Sequence, residues 1–181
     1  MPLSIEFLDR IANTAAELEP LLPRAGRTSA PRALVFQPEA FFLGRTEGAG
    51  VVRDPFGRVV RRCRITTVGS LDAAHGVIRL EEMFTYEDGE VDTWRWAMSP
   101  SRDGRYVAAE IKAGAGIAGE RHGADYVLSF RRPYGPARGL LAPRFETRFT
   151  MLSQEIVLKR ARVHLFGLPL GELTAVHRRA G

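Results

Sequence analysis

The stretch Leu80–Met98 reads LEEMFTYEDGEVDTWRWAM and sets acidic, basic and aromatic residues around one Asp88-Gly89 pair. Apolar and polar residues alternate on both sides of that pair, and Asp-Gly between alternating runs is the strongest short hairpin signal in a sequence. Read as a two-residue turn, it makes Glu87 face Glu90 and sends the pairing back along both arms. Tyr86 then faces Val91, Phe84 faces Thr93, Glu82 faces Arg95 and Leu80 faces Ala97 on one side of the sheet. Met83 faces Trp94 and Glu81 faces Trp96 on the other. The first side is apolar except for Glu82 and Arg95, which this register sets opposite each other as a cross-strand ion pair. The second carries Arg79, Glu81 and Asp92 besides its tryptophans, so the first is expected to be the inner face.

The same period of two runs outward from the hairpin. LGRTEGAGVVRD and RVVRRCRITTVG flank Asp54-Pro55-Phe56-Gly57, and after the SRDG turn (Ser101 to Gly104) come RYVAAEIK, ADYVLSFRR, RFETRFTML, EIVLKRARVHL and GELTAVHRR. This predicts a mainly β chain from residue 34 to 181: an antiparallel up-and-down β-barrel of about nine or ten strands, since closure removes the edges a long meander would leave. Upstream, Ile5, Leu8, Ile11, Ala12, Ala15 and Leu18 recur at helical spacing, which predicts an N-terminal amphipathic helix over residues 4–19. Pro20 and Pro23 end it, and an irregular connector follows to residue 33. The helix packs its apolar face on the barrel, or serves as a lid or homodimer contact.

Composition narrows the function classes. In 181 residues, 45% are hydrophobic and 26% charged, ordinary values for one globular domain, and no apolar run reaches the roughly 18 residues of a membrane-spanning helix. The N-terminus carries Glu6 and Asp9 where a signal peptide needs positive charge, and Cys63 is the sole cysteine; both lead to the expectation of a cytoplasmic protein without disulfides. The net charge of +5 comes from 24 Arg and 2 Lys scattered along the chain, which predicts no nucleic-acid partner. His75, His122, His164 and His177 have no metal-ligand spacing, and no metal or cofactor is expected. Ser99, Ser101 and Ser153 lack a nucleophile-elbow context, and Cys63 reads as a packed small residue. Gly114, Gly116 and Gly119 match G-x-G-x-x-G, but neither a following helix nor an acidic residue about twenty positions on supports a dinucleotide site. Bulges or a barrel corner account for these glycines.

Three segments carry a family likeness: AFFLGRTEGAGVVRDPFGRVVRRCRITTVGS, LEEMFTYEDGEVDTWRWAM and RVHLFGLPLGEL. The most distinctive element is L-x-E-x-F-x-Y-x-D-G-E followed by R-x-W, and the likeness extends from Ala40 to Arg179. The chain resembles an uncharacterised bacterial domain-of-unknown-function family, many of whose members are lipoproteins. The resemblance implies a lipocalin-like (calycin) barrel and brings no established activity. Relatives tend to have Asp-Trp where this chain has Thr147-Arg148, and Asn where it has Lys159.

The leading expectation is a barrel that binds a small hydrophobic or amphipathic ligand, with Leu80, Phe84 and Tyr86 on the cavity wall and Glu82 and Arg95 as polar anchor. One alternative is an enzyme on the same barrel with Glu82 as acid or base. Another is a protein-interaction module with Trp94 and Trp96 as exposed anchors.

Overall fold

The computed structural model describes residues 33–101, 105–133 and 141–180. The predicted N-terminal helix and most of the Ser101–Gly104 turn lie outside the described residues. A short helix, α1 (Pro38–Phe41), precedes ten strands: β1 (Gly44–Arg53), β2 (Val59–Asp72), β3 (Val77–Tyr86), β4 (Val91–Pro100), β5 (Arg105–Glu110), β6 (Gly114–His122), β7 (Asp125–Arg131), β8 (Arg144–Met151), β9 (Ile156–Leu165) and β10 (Leu168–Arg179). Every strand pairs antiparallel with its sequence neighbours and β1 pairs with β10, so the sheet closes as the up-and-down barrel the alternation predicts. Closure satisfies the backbone donors and acceptors that edge strands would leave open.

The period of two sorts side chains cleanly. On β3, Ile78, Leu80, Glu82 and Phe84 are buried while Arg79, Glu81, Met83 and Thr85 face out; on β2, Cys63, Ile65, Thr67 and Gly69 are the inward set. In an up-and-down barrel the turns after odd-numbered strands gather at one end. All three register shifts, at Val52/Arg53, Ala108/Glu110 and Pro169/Gly171, fall at that end, as expected for bulges that curl a barrel rim.

The other end is closed by residues 33–43. Phe36 is bound through its N–H to the Gly123 carbonyl (2.9 Å), and its ring stacks on Phe149 at 6.1 Å between centroids. Phe41, Phe42 and Tyr126 surround it, and Tyr106 donates to Glu39 (2.8 Å). Burying each such ring contributes about 2 kcal/mol, enough to fix the plug in the barrel end. The glycines of the GAGIAG run lie in β6, and a Cβ at Gly119 would strike the Tyr126 ring. That position therefore serves close packing, where the sequence reading expected a bulge or a barrel corner.

Candidate functional site

The hairpin register differs from the sequence expectation by one residue. Tyr86 N–H bonds to the Glu90 carbonyl (2.9 Å) and Gly89 N–H to the Tyr86 carbonyl (3.0 Å), closing a three-residue loop of Glu87, Asp88 and Gly89. Gly89, at φ +84°, takes the left-handed position that ends such a loop. A one-residue slip turns every side chain of one arm to the opposite face. Glu82 therefore pairs with Trp94 and Leu80 with Trp96, all inside, whereas Arg95 pairs with Glu81 on the outer face.

Two expectations fall with the two-residue turn. Arg95 is no part of the interior; its Nε donates to Glu81 Oε2 at 2.7 Å with both side chains more than half exposed. Such a pair contributes at most about 1 kcal/mol, so Arg95→Ala is expected to leave the thermal midpoint within a few degrees of wild type in a melting experiment. Nor are Trp94 and Trp96 exposed anchors. Their rings stack on each other at 6.0 Å and meet Phe130 and Phe145 edge-on at 5.1 to 6.1 Å inside the barrel.

Between those rings and the plug lies a cavity of about 270 Å³, lined by Leu80, Glu82, Phe84, Tyr86, Trp94 and Trp96 together with residues of β7–β10. Four of the five residues expected on the wall are thus brought together there, with Arg95 the exception. The walls are mostly apolar, and polar groups converge on its floor. Lys159 on β9 reaches across to Glu82 on β3, Nζ to Oε1 2.6 Å, with both side chains buried. The Phe84 and Phe149 rings flank the ammonium at 5.0 and 5.4 Å, giving it cation–π contacts in place of water. Thr67 and Thr147 add hydroxyls to the lining.

Beneath the pair sits His177, fully buried, with Nε2 3.9 Å from Glu82 Oε1 and neither ring nitrogen hydrogen-bonded among the described residues. Burial pushes its pKa down to about 4, against the pull of Glu82 and with help from Lys159. The imidazole is therefore neutral at pH 7. Burial also pushes the Cys63 thiol up, in keeping with a packed rather than a reactive cysteine.

A second cluster holds the upper wall. Arg132, buried at the end of β7, binds Glu110 (3.2 Å), approaches Asp92 (3.6 Å) and lies over the Trp94 ring at 3.8 Å. Trp94 Nε1 donates to Asp92 Oδ2 at 2.7 Å, which fixes the indole from its other edge. Glu110 also accepts the Lys112 and Ala113 N–H groups and so ties the β5–β6 turn to Arg132.

Sequence reasoning placed Glu82 inside and missed its partner. A signal existed: in Val157, Lys159 and Ala161 the alternation of β9 puts a lone lysine among inward apolar residues. A lone acid on one inner face and a lone base on another can satisfy each other only across a barrel.

No curated protein matches the chain. Among solved structures, the S-type phycobiliprotein lyase CPES from Guillardia theta superposes with a TM-score of 0.59 at 10% identity, covering 81% of this chain and 94% of that one. That likeness is one of fold. The family model described as protein of unknown function (DUF3833) matches residues 27–179, nearly the whole sequence, and the chain belongs to that family.

Proposed function

We propose that the barrel binds a small, largely apolar molecule with one uncharged polar end. The observation that carries this is the buried Glu82–Lys159 pair on the floor of a mostly apolar cavity. An ion pair is a poor way to stabilise a core, because apolar side chains of similar volume usually do as well or better. As a ligand anchor it is useful: the pair is neutral overall, and it offers both a carboxylate acceptor and further ammonium N–H donors. A hydroxyl, carbonyl or amide can bond to both partners without adding net charge, whereas a ligand carboxylate would compete with Glu82. Glu82 with Lys159 thus takes the anchoring place that the sequence reading gave to Glu82 with Arg95. An apolar cavity of roughly 150 Å³ takes benzene, so about 270 Å³ suits a molecule of roughly a dozen non-hydrogen atoms.

The protein's two tryptophans both line this cavity, so its intrinsic fluorescence reports occupancy directly. Titration with an aromatic alcohol such as 2-naphthol is expected to change the emission with saturation, and 2-naphthoate to bind more weakly. Mass spectrometry of protein purified from its native host is expected to show a copurifying neutral apolar compound. Unsaturable quenching by both probes, with nothing retained, would sink the reading.

A further inference from the structure

Three turns at the open end carry large apolar side chains into solvent. Phe56 (83% exposed) tips the β1–β2 turn, Ile111 (70%) the β5–β6 turn, and Phe166 (84%) and Leu168 (69%) the β9–β10 turn. In the barrel order the first and last of these turns are neighbours, and the β5–β6 turn lies across the mouth from them. The tips thus bracket the opening. Leu170, half exposed, also lines the cavity and makes the apolar rim continuous with the interior.

Phe166 supplies an independent reason to look outside the chain. It has φ +51° and is followed by Gly167 at +82°, between paired Leu165 and Leu168, as in a type I′ turn. That position favours Asn, Asp or Gly, and a bulky aromatic is disfavoured there. Its ring is also left almost entirely in water. The residue therefore costs the fold on both backbone and solvation grounds, and an apolar environment beyond the protein is what would offset that.

The charges say which environment. Around the rim Arg58 stands on Asp54 (2.7 Å), Arg61 on Asp88 and Glu90 (2.8 and 2.9 Å), and Arg160 and Arg162 share Glu172 (2.7 and 3.2 Å). Among the described residues these arginines are balanced by the same number of carboxylates and form no cationic strip for a polyanion. The tips are also separate protrusions around a hole, which a fluid apolar phase fills and a rigid protein face would have to bridge. We propose that the mouth rim docks on a neutral, zwitterionic lipid surface, with Phe56, Ile111, Phe166 and Leu168 entering the headgroup–acyl boundary. Aromatic side chains favour that boundary, and the cavity then opens toward the acyl phase. The inference stands on the rim and does not depend on what the cavity holds.

The test is flotation of the full chain with phosphatidylcholine vesicles in a density gradient. Wild type is expected to rise with the vesicles equally at low and high salt, because no net charge drives the contact. Phe166→Asn is expected to float roughly tenfold less, from lost apolar contact, while its melting temperature rises by a few degrees, since Asn suits the left-handed position. Leu152→Ser, removing an exposed leucine at the closed end, is expected to float as wild type. The proposal is overturned if wild type stays with the soluble fraction, if Phe166→Asn floats as wild type does, or if Leu152→Ser loses as much. It is equally overturned if flotation requires anionic lipid and vanishes in salt. Light scattering covers the remaining occupant: a dimer that Phe166→Asn dissolves, with no flotation of wild type, would make the rim an interface between copies of this chain.

Discussion

Replacing Glu82 with Leu, or Lys159 with Met, is expected to cost roughly 3 to 5 kcal/mol in stability, the largest effect of any single change at the cavity. Each variant leaves one charge in a site where its water has been replaced by the other partner and two phenyl rings. The double variant is expected to recover most of that loss and to approach or exceed wild-type stability, because an apolar pair of similar volume has no desolvation cost. Urea unfolding of the four proteins is the measurement, and the coupling term of the double-mutant cycle is the quantity to read. Small, additive losses would mean that water reaches the pair. The same double variant separates stability from function: it should stay folded, keep its apolar walls and lose its preference for 2-naphthol over naphthalene.

The second large effect is on acid stability. His177 is buried as the neutral imidazole with its pKa pushed from an ordinary 6.5 to about 4, by burial first. The unfolded chain takes up a proton on this residue below pH 6.5, while the folded protein resists until about pH 4. Its contribution is thus fully present above pH 6.5 and is lost as the pH falls through that window, by up to about 3 kcal/mol at the lower end. The charged groups facing it, Glu82 and Lys159, oppose each other in this effect. His177→Gln is expected to lose stability less steeply than wild type between pH 6.5 and 4, with denaturant unfolding at several pH values as the readout. The comparison cancels the acid titration of carboxylates common to both proteins. Parallel curves would show that His177 titrates as an exposed histidine does.

These two expectations rest on residues that the sequence marked unequally. Glu82 stood out because alternation put an acid on an apolar face of a well-signalled hairpin. Lys159 and His177 occupy inward positions on β9 and β10 in the same way. What they face is decided by how far the sheet curls before it closes, and no local pattern encodes that. The Arg95 expectation failed at one joint: Asp88-Gly89 suits both a two-residue turn and the end of a three-residue loop. The hydrogen bond that Glu90 N–H donates to Asp88 Oδ1 (3.0 Å) accompanies the longer loop. Since the two arms alternate, that single residue decided whether Arg95 or Trp94 and Trp96 would face inward.

The sequence by itself determined the β-barrel, the presence of the hairpin and the inward set on β3. All of these follow from a period of two and from turn residues within a few positions of one another. Only the tertiary structure decided that Glu82 meets Lys159, 77 positions away, and that His177 lies beneath them with neither ring nitrogen hydrogen-bonded among the described residues. It also decided that the tryptophans, with Arg132 on the far face of one of them, form the cavity wall. The physical reason is that burial and pairing of a charge depend on every strand around the barrel at once, whereas alternation is set strand by strand.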